Sequence, residues 1–520
     1  MPREKTIDRI DAGHFKVSID YGSQMPVYKQ ISDGIRRSIL EGRIAAGDRV
    51  PSTRELAQIL GVNRLTVLKS FGDLVSKGFV ETIIGAGTFV IHRSGAATAM
   101  SFQPPDPNQK YKAVELSSFA HSLMAQPVEA GAPYAVSELN YAAPPFEELP
   151  VDRWQHLLSR ATRVLRTTPS SVAVSPGGCS RLRETLADYL RRARGVECSA
   201  DQIFFLSHPE AANHLICRLL LNAGDAVAVE DPGCMGRRNA LAFHGARAVP
   251  FAVDAQGLIV QNLLDSQEAI KLAFVTPSHH DPTGAELTLP RRFDLLRWAQ
   301  QRGALIVEDD YDAEYRYGDQ TPPMVQADVH GSVIYRYNFG RMLHPLVRAG
   351  FLVLPLNLVP LFQRAMLMMD FEASPFEQRA LADFIAEGHY ERYLKRLRTI
   401  YAARRASFIQ ALTVNFGKAI SISSVKFGRQ ILVNLHSDQS DQYLLACARK
   451  ASFPLTSTAC HYSSAAVPGQ FQVDCSALSE DEIRPAADIF AALTRSSEDR
   501  VESLPDSWFQ STATALVEIR

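Results

Sequence analysis

The stretch ALIVEDDYDAEYRY, Ala304–Tyr317, decides how the larger part of this chain folds. Its first residues are apolar without a polar break, and an acidic, aromatic segment follows. A short apolar run closed off in this way reads as a strand buried on both faces, as in a parallel sheet. Asp309 and Tyr311 fall at its carboxyl end, and the two-residue repeat of a strand puts them on one face. In an open α/β sheet, ligands bind at the carboxyl ends of the strands.

The same kind of run recurs on either side. QIFFL (202–206), AVAVE (226–230), LAFVTP (272–277), SVIYRY (332–337) and GFLVLP (350–355) are separated by helix-like stretches such as RRFDLLRWAQQRG (291–303). Alternation of this kind from about 137 to 495 implies an α/β domain: a mostly parallel sheet covered by helices, with a smaller α+β piece near 390–495. Two other strand ends carry chemistry-bearing residues. FVTPSHHDPTGAEL (274–287) holds His279 and His280 without a third ligand at metal spacing, so a metal site is not expected. EDPGC (230–234) puts Cys234 at a strand mouth.

Residues 1–92 form a separate unit. In PVYKQISDGIRRSILEGRI (26–44), Val27, Ile31, Ile35 and Ile39 have helical spacing. In GDRVPSTRELAQILGV (47–62), Ser52 or Thr53 caps a short helix carrying Leu56, Ile59 and Leu60, and Gly61 makes the turn. NRLTVLKSFGDLVSKG (63–78) starts a third helix with Val67, Phe71, Leu74 and Val75 inward. FVETIIGAGTFVI (79–91) is a hairpin around Gly85-Ala86-Gly87. Three helices and a hairpin make a winged helix-turn-helix, whose recognition helix lies in the major groove of DNA. Asn63, Arg64 and Thr66 are polar residues of its first turn, and Lys69 follows toward the backbone. Ser52, Thr53 and Arg54 open the preceding helix, where a phosphate is welcome. Gly85 and Gly87 let the wing approach a groove.

Composition agrees with this division. Of 520 residues, 46% are hydrophobic and 21% charged, as in a globular protein of two or three domains. Residues 1–100 carry 14 Lys+Arg against 10 Asp+Glu, and the remainder 41 against 46, which sets a basic head on an acidic body. Seven cysteines without a CxxC pair read as reduced thiols in a cytoplasmic protein. Residues 93–136, with SGAATAMSFQPPDPNQK, read as a linker with a short helix at 113–124, and 496–520 as a tail. No apolar stretch is long enough to span a bilayer, so no membrane partner is expected.

The head resembles the GntR-type winged helix family through PVYKQI, EGRIAAGDRVPSTRELA, GVNRLTVLKSF, LVSKGFVE and GAGTFV. The resemblance implies double-stranded operator DNA as partner, usually bound by a dimer, with Pro51, Ser52, Arg54, Arg64, Thr66 and Gly87 on contact positions. Through LLLNAGDAVAVEDPG, TPSHHDPTG, VEDDYDAEYRY and LHPLVRAGFLVLP, the body resembles the fold type I family of pyridoxal-phosphate (PLP) enzymes. The whole chain looks like a MocR/GabR-type regulator, in which a GntR-type head is fused to such a domain.

This resemblance implies roles for individual residues. Asp309 falls where the family's carboxylate pairs with the pyridine nitrogen, Tyr311 where a phenol meets the ring hydroxyl, and Arg348 on a phosphate-binding arginine. In YNFGRMLHPLVRAGF (337–351), Gly340 and Arg341 align with the family's Ser-Lys pair. A guanidinium does not shed its proton and forms no Schiff base. Lys271 lies too far from the active end of its strand to replace it. LSHPEA (206–211) puts His208 and Pro209 in the phosphate cup, and Cys234 aligns with the stacking aromatic. The substrate-carboxylate arginine has no match near QFQVDCSAL (470–478). The expectation is a transcriptional regulator without catalytic residues, its aminotransferase-like domain serving homodimerisation and the sensing of a small-molecule effector, with no covalent cofactor. The alternatives are PLP bound without a covalent link, and residual transaminase activity.

Overall fold

The computed structural model describes residues 17, 19–23, 25–83, 85–91, 117, 120, 144–167, 176–310, 312–315, 322–369, 371–423 and 428–495. The expected linker helix at 113–124 and the tail at 496–520 lie essentially outside them, as does Tyr311. The chain divides into two units, Met1–Glu115 and Leu116–Arg520.

The head contains α1 (Val27–Leu40), β1 (Arg49–Val50), α2 (Thr53–Leu60), α3 (Arg64–Ser76), β2 (Val80–Ile83) and β3 (Gly87–Val90), the strands pairing in the order β1-β3-β2. Local chemistry sets the helix ends. The Ser52 hydroxyl accepts from the Glu55 amide at 3.2 Å while the Glu55 carboxylate accepts from the Ser52 amide at 3.3 Å, a reciprocal capping box. Gly61 ends α2 in the left-handed conformation at φ +63°. The Asn63 side-chain oxygen accepts from the Leu65 amide at 2.9 Å and caps α3. The core joins Ile31 and Ile35 of α1 to Leu56, Val67, Phe71 and Leu74. Two expected core residues are outside it: Ile59 is 49% exposed and Val75 44%. Val75 is eight residues from Val67, about 80° round the helix axis, so Leu74 takes the inward place. The hairpin strands are as expected. β1 was not legible, because two residues carry no alternation.

In the body, β4 (Ile203–Leu206), β5 (Ala226–Asp231), β6 (Arg247–Asp254), β7 (Gly257–Leu258), β8 (Ile270–Val275), β9 (Leu305–Asp309), β10 (Val333–Asn338) and β11 (Gly350–Val353) form one sheet. Its order is β4-β11-β10-β9-β8-β5-β6-β7. The central pairs β10·β9, β9·β8, β8·β5 and β5·β6 are parallel, whereas β11 runs against both of its neighbours. Helices α4 (Val151–Thr167), α5 (Ser180–Arg194), α6 (Pro209–Leu220), α7 (Met235–Phe243), α8 (Val260–Leu264), α9 (Leu289–Arg302), α10 (Gly340–Leu343), α11 (Val359–Met369) and α12 (Pro375–Ala386) accompany it. Separate apolar cores form around it: α6 packs into one with Val307, and α9 into another with Ile306. Neighbouring residues of β9 are thus buried in different cores, which is why its run shows no polar alternation.

The long α13 (His389–Phe416) leads into a smaller α+β piece. That piece holds β12 (Ile420–Ser423), β13 (Gln430–Leu435), α14 (Asp441–Lys450), β14 (Leu455–Ser457), β15 (Gln470–Asp474) and α15 (Glu480–Thr494), its strands in the order β12-β13-β15-β14. The stretch 337–351 turns from β10 through one turn of helix into β11. Gly350 is required there, because a Cβ would lie 2.6 Å from the Tyr337 carbonyl oxygen. The apolar stretch 350–362 is the strand β11, a turn at 356–358 and the start of α11.

Ile35→Ala should destabilise the head by about 2–5 kcal/mol, whereas Ile59→Ala should stay within about 0.5 kcal/mol. Urea unfolding of the full chain, read by amide hydrogen exchange in residues 25–83, checks both.

Candidate functional site

The head presents its expected DNA-contact residues at the start of α2, the start of α3 and the wing. Arg54, Asn63, Arg64, Lys69, Ser52 and Gly85 are exposed, and Pro51, Thr53, Thr66 and Gly87 half-buried. Arg64 Nε lies 3.4 Å from Thr53 Oγ1, which brings the two helix starts together. Three details bear on these expected contacts. The Ser52 hydroxyl and the Asn63 carbonyl oxygen are engaged as caps, which removes those acceptors from base reading. Lys69 Nζ stands 4.2 Å from the centre of the Tyr28 ring, a cation–π contact that holds it over α1. Gly87, at φ +124°, does not offer bare backbone: a Cβ there would lie 2.6 Å from Arg49 Nε. Arg49 therefore stands against the wing. Arg49 lies outside the helix-turn-helix, so no local signal marks it.

In the body, the carboxyl ends of β5, β8, β9 and β10 meet in a buried cluster of charges. Asp309 closes β9, and its register partner on β10 is Arg336. The Arg336 guanidinium donates to Asp309 Oδ2, and Arg237 of α7 donates to the same oxygen at 2.5 Å. All three side chains are buried. Arg336 also reaches Glu210 Oε1 at 3.1 Å, and Arg237 lies 3.8 Å from Glu230. Burial raises the Glu230 carboxyl to about 7, against the pull of Arg237 and Thr276. His280 Nε2 is 3.7 Å from Glu230, and its Nδ1 lies 2.7 Å from Thr283 Oγ1.

Beyond this row stands a second buried pair. Arg341, on the one-turn helix α10, donates through Nε to Asp312 Oδ1 at 2.7 Å. Burial alone would raise the Asp312 carboxyl; the guanidinium groups of Arg341 and Arg429 outweigh it and bring it down to about 2. Asp312 occupies a positive φ of 56°, a strained conformation that aspartate tolerates better than most residues. Arg429, fully buried just before β13, has its guanidinium carbon 5.1 Å from the Tyr315 ring centre. His279 and His280 are buried, and that burial lowers their pKa values to about 4 and about 3, so both are neutral at pH 7.

The remaining expected positions are spread more widely. Arg348 is exposed, its Nη2 3.2 Å from His208 Nε2. His208 caps α6 by accepting from the Glu210 amide at 3.1 Å, and Pro209 takes the first helical position. Cys234 is buried at the start of α7. Gln472 is buried on β15, 3.3 Å from Gln430 Oε1. Lys271 is exposed on Asp225 at 2.7 Å. Arg237, Arg336, Asp312 and Arg429 went unnoticed in the sequence. Arg336, a charge within the apolar run SVIYRY, was the one local signal that called for a partner.

Among the described residues, no group of three or more His, Cys, Asp or Glu is placed to hold a metal. No helix among them is long and apolar enough to cross a membrane. All seven cysteines are free thiols.

A winged helix-turn-helix joined to an aminotransferase-like α/β body defines a class of gene regulators built on an enzyme fold. Residues 27–90 match the family of bacterial regulatory proteins, gntR family, and residues 144–490 match aminotransferase class I and II. The chain belongs to the MocR-type group, in which these two domains are fused. It is 32% identical over 438 residues, 83% of this chain and 86% of the relative, to the probable rhizopine catabolism regulatory protein MocR of Rhizobium meliloti. It is 28% identical to the HTH-type pyridoxine biosynthesis transcriptional regulator PdxR of Corynebacterium glutamicum, covering 72% of this chain and 77% of that one. Among solved structures, it is similar to a multiple substrate aminotransferase from Thermococcus profundus, with a TM-score of 0.63 and 20% identity over 75% of this chain and 98% of the other. That likeness establishes the fold, in which PLP is the usual cofactor.

Asp309→Ala should destabilise the body by about 3–5 kcal/mol, since Arg237 and Arg336 lose their shared counter-charge in a buried place. Urea denaturation at pH 7 checks this.

Proposed function

We propose that this chain is a DNA-binding transcriptional regulator whose aminotransferase-like domain has left covalent cofactor chemistry and serves homodimerisation and effector sensing. The observation that carries the reading is the buried Arg341–Asp312 pair. Arg341 stands where the resemblance puts the family's lysine, and its Nε is engaged by Asp312 at 2.7 Å. A Schiff base needs an amine that can shed its proton, and guanidinium keeps its own. Every lysine among the described residues is exposed, so none of them enters the cluster in its place. Asp309, on the position of the family's ring-nitrogen carboxylate, is shared by Arg237 and Arg336. A protonated pyridine nitrogen there would meet two guanidinium groups. These residues do not fit PLP held through an imine.

Regulation then works by population shift: an effector favours one arrangement of the dimer, and the two heads engage two half-sites accordingly. A second reading, PLP held without a covalent bond, is favoured by Asp309 Oδ1, which is buried without a hydrogen-bond partner, and by exposed Arg348 beside His208.

With PLP added, the protein should show no saturable visible band, and borohydride should fix no phosphopyridoxyl group to a particular lysine by peptide mass mapping. Such a lysine would overturn the reading. Saturable quenching of tryptophan fluorescence by PLP, lost in Arg348→Ala, would establish the second reading instead. On DNA from upstream of its own gene, Arg64→Ala should weaken binding by about five- to 150-fold, measured by fluorescence anisotropy at fixed salt.

A further inference from the structure

Helix α3 turns Val67, Ser70, Phe71 and Leu74 into the core of the head. At about 100° per residue, the line opposite that face is occupied by Leu65, Lys69 and Gly72, with Leu68 beside it. Leu65 is 70% exposed and Leu68 54%. Lys69 is drawn over the Tyr28 ring, and nothing lies within 4 Å of where a Cβ on Gly72 would be. Apart from Lys69, exposed but held over Tyr28, the outermost part of this helix is apolar: two leucines, then bare backbone. Neither leucine belongs to the head's core. Water is a poor place for a leucine of this exposure, and its burial would stabilise whatever complex covers it.

The surroundings identify what covers it. The leucines directly follow Arg64, which is exposed and joined to Thr53 at the start of α2, where Arg54 is exposed as well. An apolar tip beside arginine side chains fits a polyanion whose interior offers apolar groups. In the major groove of DNA, the apolar group on the base edges is the C5 methyl of thymine. We infer that Leu65, with Leu68 beside it, reads thymine methyl groups, so that each operator half-site carries a thymine whose methyl is required. This deepens, and rests on, the DNA-binding reading. It assigns part of the sequence preference to apolar contact, alongside hydrogen bonding by Arg64.

The test uses the full-length protein and a random-sequence duplex pool. Binders are selected, and each thymine of the selected duplex is replaced in turn by deoxyuridine, which removes only the methyl. At one or more positions in each half-site, wild type should bind the deoxyuridine duplex about fourfold more weakly, the worth of one buried methyl. Leu65→Ala, or the Leu65→Ala/Leu68→Ala pair, should abolish that ratio. Arg64→Ala should weaken both duplexes and leave the ratio in place. Because both leucines are exposed, their replacement leaves the head folded. Selection of a sequence with no position sensitive to the methyl would overturn the inference and leave DNA binding standing. So would a ratio that survives in both leucine variants. Loss of self-association in Leu65→Ala, without methyl dependence, would assign the face to a second copy of the chain and also overturn it. Failure of wild type to retain any duplex would overturn the DNA-binding reading and this inference together.

Discussion

The carboxylate of Asp309 is held between two arginines in a place with almost no water, and the centre of the body depends on that contact. The three side chains come from β9, β10 and α7, so the interaction ties two neighbouring strands to the helix that follows a third. Charges removed from water are tolerated only when opposite charge and hydrogen bonds replace the lost solvation. One carboxylate against two guanidinium groups would leave an excess, which Glu210, 3.1 Å from Arg336, offsets, together with Glu230, 3.8 Å from Arg237 and only partly ionised at pH 7. The result is a mouth of the sheet occupied by the chain's own ion pairs. In open α/β sheets, the carboxyl ends of the strands are where ligands bind. Arg341 and Asp312 repeat the arrangement a few residues on.

This charge pattern explains how a chain can keep an enzyme's architecture and serve as a regulator. The apolar runs build the sheet and are buried in several cores around it. At the strand ends stand the buried ion pairs of Asp309 and Asp312, which hold neighbouring elements together. Arg336 is a buried charge within a strand. It is accommodated because Asp309 is its direct register partner. An arginine in a buried strand with an apolar neighbour at that register would carry the full desolvation penalty.

Much of the head was legible because its signals are local. Ser52 and Gly61 stand at the ends of the helix they set, and a cap works over that same distance; Asn63, read as a base contact, caps α3 instead. Inward faces were legible to within one residue. Ile59 and Val75 were misplaced because an apolar side chain next to the buried stripe looks the same in sequence as one inside it. Arg49 was missed for the opposite reason. It lies 38 positions from Gly87, in a strand too short to be seen, and only the pairing of β1 with β3 brings them together.

By itself, the sequence determined the two-domain plan, the mostly parallel sheet, the winged head and the guanidinium at position 341. Each of these follows from periodicity, capping or the identity of one residue, all readable over a few positions. Only the tertiary structure decided what the strand ends hold. Asp309 finds Arg237 72 positions away and Arg336 27 positions away. Electrostatic partners in a buried cluster are chosen by distance in space and by desolvation, and neither quantity exists until the sheet has formed. The same holds for the outer face of α3: the leucines are plain in the sequence, but their exposure is set by how the helix packs on α1 and α2.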